Sequence, residues 1–203
     1  MAKGIVSVLA KAYPFEIGLF SRDIEKAKST IEQLQVNAIA ISEEEKFNAD
    51  IIIHTLWYND VMTFVLDNKE QLKGKVLIDI TNPFNESFTD FVIGYDSSSA
   101  ENIQRLIPET NVVGAFKNTY WVVFENPEFG GIKSDIYVTS DDDVSRLRVI
   151  DLLRPIPFRI FDAGRLKNNR TIERMTLLQK ELATKAGNHP RVSFHLWGVA
   201  SNE

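Results

Sequence analysis

The sequence contains no cysteine, which excludes disulfides, thiolate nucleophiles, iron–sulfur clusters and zinc–thiolate sites. Histidine is scarce too. His54 lies inside an apolar run, and His189 and His195 sit in the tail without a third partner, so no metal site is expected. The longest apolar stretch, Ile51 to Trp57, already holds a histidine and falls far short of the roughly 20 residues that cross a bilayer. Lys3 and Lys11 bracket a short apolar run with no small-residue cleavage site, the pattern expected of a cytoplasmic protein. A cationic excess is also missing: Lys plus Arg is 23 against Asp plus Glu 28, a net charge of −5. That balance repels phosphate backbones, so neither nucleic acid nor a membrane is expected as a partner.

What remains is an ordinary globular composition, 44% apolar and 25% charged over 203 residues. At about 150 residues per domain this is one domain with a small appendage. Short β-branched or aromatic segments alternate with helical-period segments, which predicts an α/β fold with a doubly wound, mostly parallel sheet. Helices are expected over 2–13, 23–35, 58–72, 99–107, 141–154 and 166–186, and strands over 15–20, 36–41, 50–56, 75–81, 111–116, 135–139 and 158–161. Asp23 is the predicted N-cap of the second helix, with Ile24, Ala27, Ile31 and Leu34 as its buried stripe. The helix at 141–154 is expected to turn Val144, Leu147, Ile150 and Leu153 inward, and the last helix Leu166, Ile172, Met175, Leu178, Leu182 and Ala186. Residues 117–134, with Pro127 and Gly130-Gly131, read as irregular.

In a dinucleotide-binding sheet of the Rossmann type, a central first strand precedes the first helix and its loop offers glycines to a pyrophosphate. Here that strand and most of the glycine-rich turn are missing. Omitting a central strand leaves two edges about 10 Å apart, given about 4.8 Å per strand spacing. The expectation is therefore that the natural protein has residues upstream of Met1, or that Met1 is an internal methionine taken as the start. Residues 1–187 form the expected dinucleotide-binding domain and 188–203 a tail.

The strongest chemical signal is Ser21-Arg22-Asp23-Ile24-Glu25-Lys26, directly after the strand that ends at Phe20. An acidic residue at that strand end would bind the ribose hydroxyls of NAD. Ser21 instead can donate to a phosphate oxygen, Arg22 can stack on adenine, and Lys26 adds a charge one turn on, which together select NADP. The bland alternative is a solvated helix start. Asp141-Asp142-Asp143 reads as a helix cap and Glu43-Glu44-Glu45 as a solvated face. His54 reads as a satisfied core histidine more readily than as a proton donor. Trp121, Phe124 and Phe129 fit core packing and a ring-contacting wall equally.

The segments SRDIEKAK, ADIIIHTLWYNDV, KGKVLIDITNPFN, SSAENIQRLIPETNVVGAF and FRIFDAGRLKNNRTIERMTLL follow, in order and spacing, the deazaflavin-dependent NADP oxidoreductases. The chain resembles that family up to about Lys185, and resembles the cytosolic domain of six-transmembrane metalloreductases in the same pattern. Met1-Ala2-Lys3-Gly4 looks like the end of the family's glycine turn. The resemblance implies that Ser21, Arg22 and Lys26 form the 2′-phosphate site. It implies that Thr55-Leu56-Trp57, Asn82-Pro83 and the Gly114-Ala115-Phe116 segment line the cofactor. Lys117 intervenes before Asn118, so the family's asparagine is shifted or lost. The implied cofactors are NADP and a flavin or deazaflavin, and the implied assembly is a homodimer through the C-terminal end. Hydride transfer between stacked rings needs no acid–base residue, so no catalytic side chain is nominated. Two rival readings stand beside this one: a non-catalytic dimer or regulatory subunit that has lost its pyrophosphate loop, and a reductase of imines or carbonyls with His54 or Tyr120 as proton donor.

Overall fold

The structure is a computed structural model that describes residues 1–201. Helix α1 (Ala2–Ala12) leads into β1 (Ile17–Phe20), α2 (Ile24–Leu34) and β2 (Ala38–Ile41). Then come β3 (Ile51–His54), α3 (Tyr58–Asp67), α4 (Lys69–Leu72), β4 (Val76–Asp79), α5 (Ser99–Leu106) and β5 (Asn111–Gly114). A 3-10 turn at Trp121–Phe124 and the hairpin β6 (Glu128–Phe129) and β7 (Ile132–Lys133) precede β8 (Asp135–Ser140), α6 (Asp143–Leu153), β9 (Arg159–Asp162) and α7 (Asn169–Lys185).

The main sheet has the order β3-β4-β5-β8-β9, and β1 and β2 form a separate parallel pair. Strands β3, β4 and β5 are parallel, β8 runs antiparallel to β5, and β9 is parallel to β8. The first residue of β8 therefore lies at the same end of the sheet as the last residue of β5. Alternation along the strands separates two cores. Val76, Ile78, Val113, Ile136 and Val138 face α1 and α6, while Leu77 and Val112 face α3 and α5. Each fully buried side chain of this kind contributes about 1.5–3 kcal/mol. The α/β, mostly parallel architecture is thus the one that the alternating segments predict.

The packing differs from the periodicity in four places. Helix α2 buries only Ala27; Ile24 is exposed and Ile31 and Leu34 are half-buried, because the sheet beneath them has just two strands. The helix over 58–72 is interrupted at Asn68, whose side-chain amide donates to Phe64 O. In α6, Asp142 is the N-cap and Val149, Ile150 and Leu153 are buried, but Val144 and Leu147 face solvent. In α7 the expected Ile172 is buried, with Ala183, but most of the buried face is polar, carrying Asn169, Glu173, Thr176 and Gln179, and Leu178 and Leu182 are left exposed. Among the described residues no helix is long and apolar enough to cross a membrane.

Residues 188–200 run back over the starts of β8 and β9. The Asp135 amide donates to Phe194 O, and Arg159 donates to Leu196 O and Val199 O. His189 packs edge-on against Tyr120, and His195 lies beside Arg159, so neither tail histidine has a ligand-like setting.

Candidate functional site

Parallel strands end together, so their following turns share one edge. Thr55, Leu56 and Trp57 follow β3, Asn82 and Pro83 follow β4, and Ala115 follows β5, which places these six residues on three neighbouring turns. Thr55, Leu56 and Trp57 are exposed, the Trp57 ring meeting Phe88 edge-on at 5.9 Å. Pro83 and Ala115 are buried and Asn82 is half-buried.

The turns are tied to one another. Thr81 Oγ1 donates to Leu56 O at 3.0 Å, and Asn82 Nδ2 donates to Lys117 O at 2.8 Å. Asn82 Oδ1 remains a buried acceptor without a partner. The turn after β5 carries Phe116 at φ 58°, a left-handed conformation that is uncommon for a bulky residue and costs on the order of 1–3 kcal/mol. That reversal seats the Phe116 ring in the core against Phe124 and sends Lys117 inward. Gly114 is required just before it, since a Cβ there would lie 2.5 Å from Asn169 Nδ2 and 2.6 Å from Thr139 Oγ1.

Beneath the turns lies a group of charges that the periodicity did not disclose. His54 and Asp79 are register partners on β3 and β4, so both project to the α5 side. Asp79 Oδ1 accepts from His54 Nε2 at 3.0 Å and from Thr81 N at 2.9 Å. Lys117, fully buried, donates to Asp79 Oδ2 and Thr81 O at 2.6 Å each, and its Nζ is 2.9 Å from Glu173 Oε1. Glu173 Oε2 accepts the Ser99 N–H at the start of α5. Burial pushes the Asp79 carboxyl up, but the Lys117 charge and the His54 hydrogen bond outweigh it and hold the group well below the usual carboxylate range. Burial alone would lower Lys117; Asp79 and Glu173 raise it instead. Glu173 is pushed up to about 7 by burial, against the pull of Lys117 and with a further push from Asp79.

A signal for this cluster does exist in the sequence. Asp79 is a charge inside the apolar run KVLIDI, and Asn169, Glu173, Thr176 and Gln179 recur at helical spacing. His54 is accordingly a buried histidine held by a carboxylate. Tyr120 donates to Thr176 O and burial pushes its hydroxyl up to about 12, which does not suit a proton donor at neutral pH. Phe124 is core, Phe129 packs under Arg191, and Trp121 is half-exposed.

Ser21, Arg22 and Lys26 occupy the corner between β1 and α2. Ser21 Oγ accepts from the Asp23 amide at 3.3 Å, and Asp23 caps α2 by accepting from the Glu25 amide at 3.1 Å. Arg22 and Lys26 are exposed, and among the described residues neither side chain is committed to an ion pair.

Residues 1–83 match the family model described as NADP oxidoreductase, coenzyme F420-dependent. The F420-dependent NADP reductase of Methanocaldococcus jannaschii is 33% identical, over 76% of this chain and 72% of that protein. The enzyme of the same name from Methanothermobacter marburgensis is 30% identical, over 84% of this chain and 82% of its own. The human metalloreductase STEAP2 is 27% identical over 66% of this chain but only 26% of its length. A crystal structure from Arthrobacter sp., itself assigned provisionally as an F420-dependent NADP reductase, superposes with a TM-score of 0.78 at 20% identity. It covers 91% of this chain and 90% of its own, which shows the shared fold. Identity of a third over most of both chains, together with that fold, makes this protein a member of the F420-dependent NADP reductase family and an NADP-dependent oxidoreductase.

Proposed function

We propose that this chain passes hydride between NADPH and a flavin-type ring, with a deazaflavin as the preferred acceptor. The observation that carries the cofactor half is the pair of uncommitted cations, Arg22 and Lys26, at the strand end where the adenosine ribose of a dinucleotide lies. Ser21 takes the place of the carboxylate that would otherwise bind both ribose hydroxyls and repel a 2′-phosphate. The names of the curated relatives support the acceptor half. In the proposed complex Thr55–Trp57, Asn82, Pro83 and Ala115 line the dinucleotide, and the cross-links from Thr81 and Asn82 keep the three turns in fixed relation. NADPH supplies the hydride, the acceptor ring takes it with one proton from solvent, and NADP+ is left. The protein's contribution is to hold the two rings in contact and to exclude water, for which no ionisable side chain is needed.

Steady-state oxidation of NADPH, followed with coenzyme F420 and with FMN as separate acceptors, tests this. Turnover with the deazaflavin, faster with NADPH than with NADH, is the expected outcome. No turnover with either acceptor by protein that binds NADPH would favour the regulatory-subunit reading instead.

The assembly is proposed to be a homodimer joined through α7. Its support is the outward row Met175, Leu178 and Leu182 on a helix that already buries its polar face, leaving 51% of Leu178 and 54% of Leu182 exposed. Leu182→Glu is expected to convert a dimer to a monomer by light scattering after size exclusion; a wild-type protein that is monomeric at all concentrations would refute the assembly.

A further inference from the structure

The enclosed cluster beneath the turns has an odd charge. Asp79 and Glu173 are two carboxylates and Lys117 is a single ammonium, all three with side chains at most 1% exposed. The two carboxylates outnumber the one ammonium, an expensive arrangement in the interior that is relieved by holding one more proton. The hydrogen bonds indicate where it resides. Asp79 accepts from Lys117, His54, the Thr81 amide and the Ser99 hydroxyl, a set of donors that stabilises the ionised form. Glu173 has only the Ser99 amide and its share of Lys117. The other charges on its helix are engaged elsewhere, Arg170 with Glu101, Arg174 with Asp90, Lys180 with Phe88 O and Lys185 with Glu181. Glu173 is therefore the proton holder.

We infer that this cluster sets the preference between the reduced and oxidised forms of the nicotinamide carrier. Protonated at Glu173, it is neutral; deprotonated, it is anionic and favours the positively charged oxidised ring. The inference rests on the reading of the three turns as the cofactor's lining. Lys117 connects the two directly, since its ammonium binds Thr81 O and its carbonyl receives Asn82 Nδ2. Glu173 and Lys117 are thus positioning and charge-setting residues, not groups that touch the reacting atoms. The value of about 7 for Glu173 puts the change within the physiological range. A unit charge acting over two or three strand spacings, about 10–15 Å, at an effective dielectric near 20 changes relative affinity roughly tenfold.

The test is the ratio of the NADPH and NADP+ dissociation constants from about pH 6 to about pH 8, in wild type and Glu173→Gln, with thermal midpoints recorded alongside. The 2′-phosphate also titrates near about 6, but it does so in both forms and cancels in the ratio. In wild type the ratio is expected to move about tenfold towards NADP+ binding as pH rises, with its midpoint near that of Glu173, while Glu173→Gln keeps the low-pH ratio throughout. A merely structural role would weaken both nucleotides together and leave the ratio alone. Because Glu173 is raised in the folded state, its stabilisation is complete below the ordinary carboxylate value and is lost as pH rises towards about 7. The wild-type midpoint should therefore fall relative to Glu173→Gln over that interval. A wild-type ratio that stays flat overturns the inference, even if the variant does not fold. If neither nucleotide binds while the melting profiles still diverge, the proton on Glu173 stands, but the redox preference and the NADP reading both fail.

Discussion

Replacing Arg22 and Lys26 together by alanine is expected to raise the NADPH dissociation constant about a hundredfold and to leave that of NADH within about threefold. The argument is one of charge placement. Both side chains are exposed at the β1–α2 corner, and among the described residues neither is held by a carboxylate, so their full attraction is available to a dianionic group. Each charge-assisted hydrogen bond contributes about 1.5–3 kcal/mol, discounted here because the site is exposed and screened by salt. Two such contacts at the low end of that range give about 3 kcal/mol, or roughly a hundredfold. NADH has hydroxyls at the same place and forgoes little. The same reasoning predicts that the preference shrinks as salt is added, since the Debye length falls from about 10 Å at 0.1 M to about 3 Å at 1 M. Isothermal titration of the double variant with both nucleotides decides it: equal losses for NADPH and NADH would remove the phosphate pocket and with it the choice of cofactor.

The fold was legible because strand and helix periods differ and because turn residues punctuate them. Asp23 and Asp142 could be named as caps since a short carboxylate before a helical run has few other uses. The strand ends were legible only to within two residues: the expected strands over 50–56, 75–81 and 111–116 each run two residues past the ends at His54, Asp79 and Gly114, and it is the family resemblance that marks the residues on the three turns that follow. Burial was less legible. Ile24 and Leu147 obey helical spacing, but spacing says only which residues share a face; whether that face is covered depends on the neighbouring layer, and over β1 and β2 the layer is narrow. Helix α7 misleads in the opposite direction. Leu178 and Leu182 lie on the face that is left open, while Asn169, Glu173, Thr176 and Gln179 lie on the closed face, where groups such as Asn118 O accept from them. The charge cluster escaped for a related reason. Lys117 is a surface residue by type, and only the left-handed turn at Phe116 sends it inward, a backbone choice that no side-chain pattern encodes.

Lys117→Met should be the most destabilising of the substitutions considered, by about 3–5 kcal/mol at neutral pH. Methionine fills a similar volume, so the effect is electrostatic: Asp79 and Glu173 are left enclosed without a cation. At about 2–4 °C per kcal/mol for a chain of this size, the thermal midpoint should fall by roughly 10 °C. The pH dependence has a definite sign. In wild type the Asp79 value is depressed, so its stabilisation is present above the ordinary carboxylate value and is lost only as pH falls well below it. Without Lys117 the largest opposing cause is gone, burial dominates, and Asp79 joins Glu173 in binding a proton more readily than the unfolded chain does. The variant's deficit should therefore be largest near pH 8 and shrink as pH falls towards about 5, where both carboxyls are neutral. Adding Glu173→Gln removes one of the two stranded charges, so the double variant should be more stable than Lys117→Met alone, with a favourable coupling of about 1–3 kcal/mol. Two results would refute the electrostatic account: a Lys117→Met variant within about 1 kcal/mol of wild type at pH 8, or a double variant no more stable than the single one. In either case the enclosed carboxylates would have to be compensated by something other than Lys117, and the link from α7 to the turns that line the cofactor would lose its physical basis.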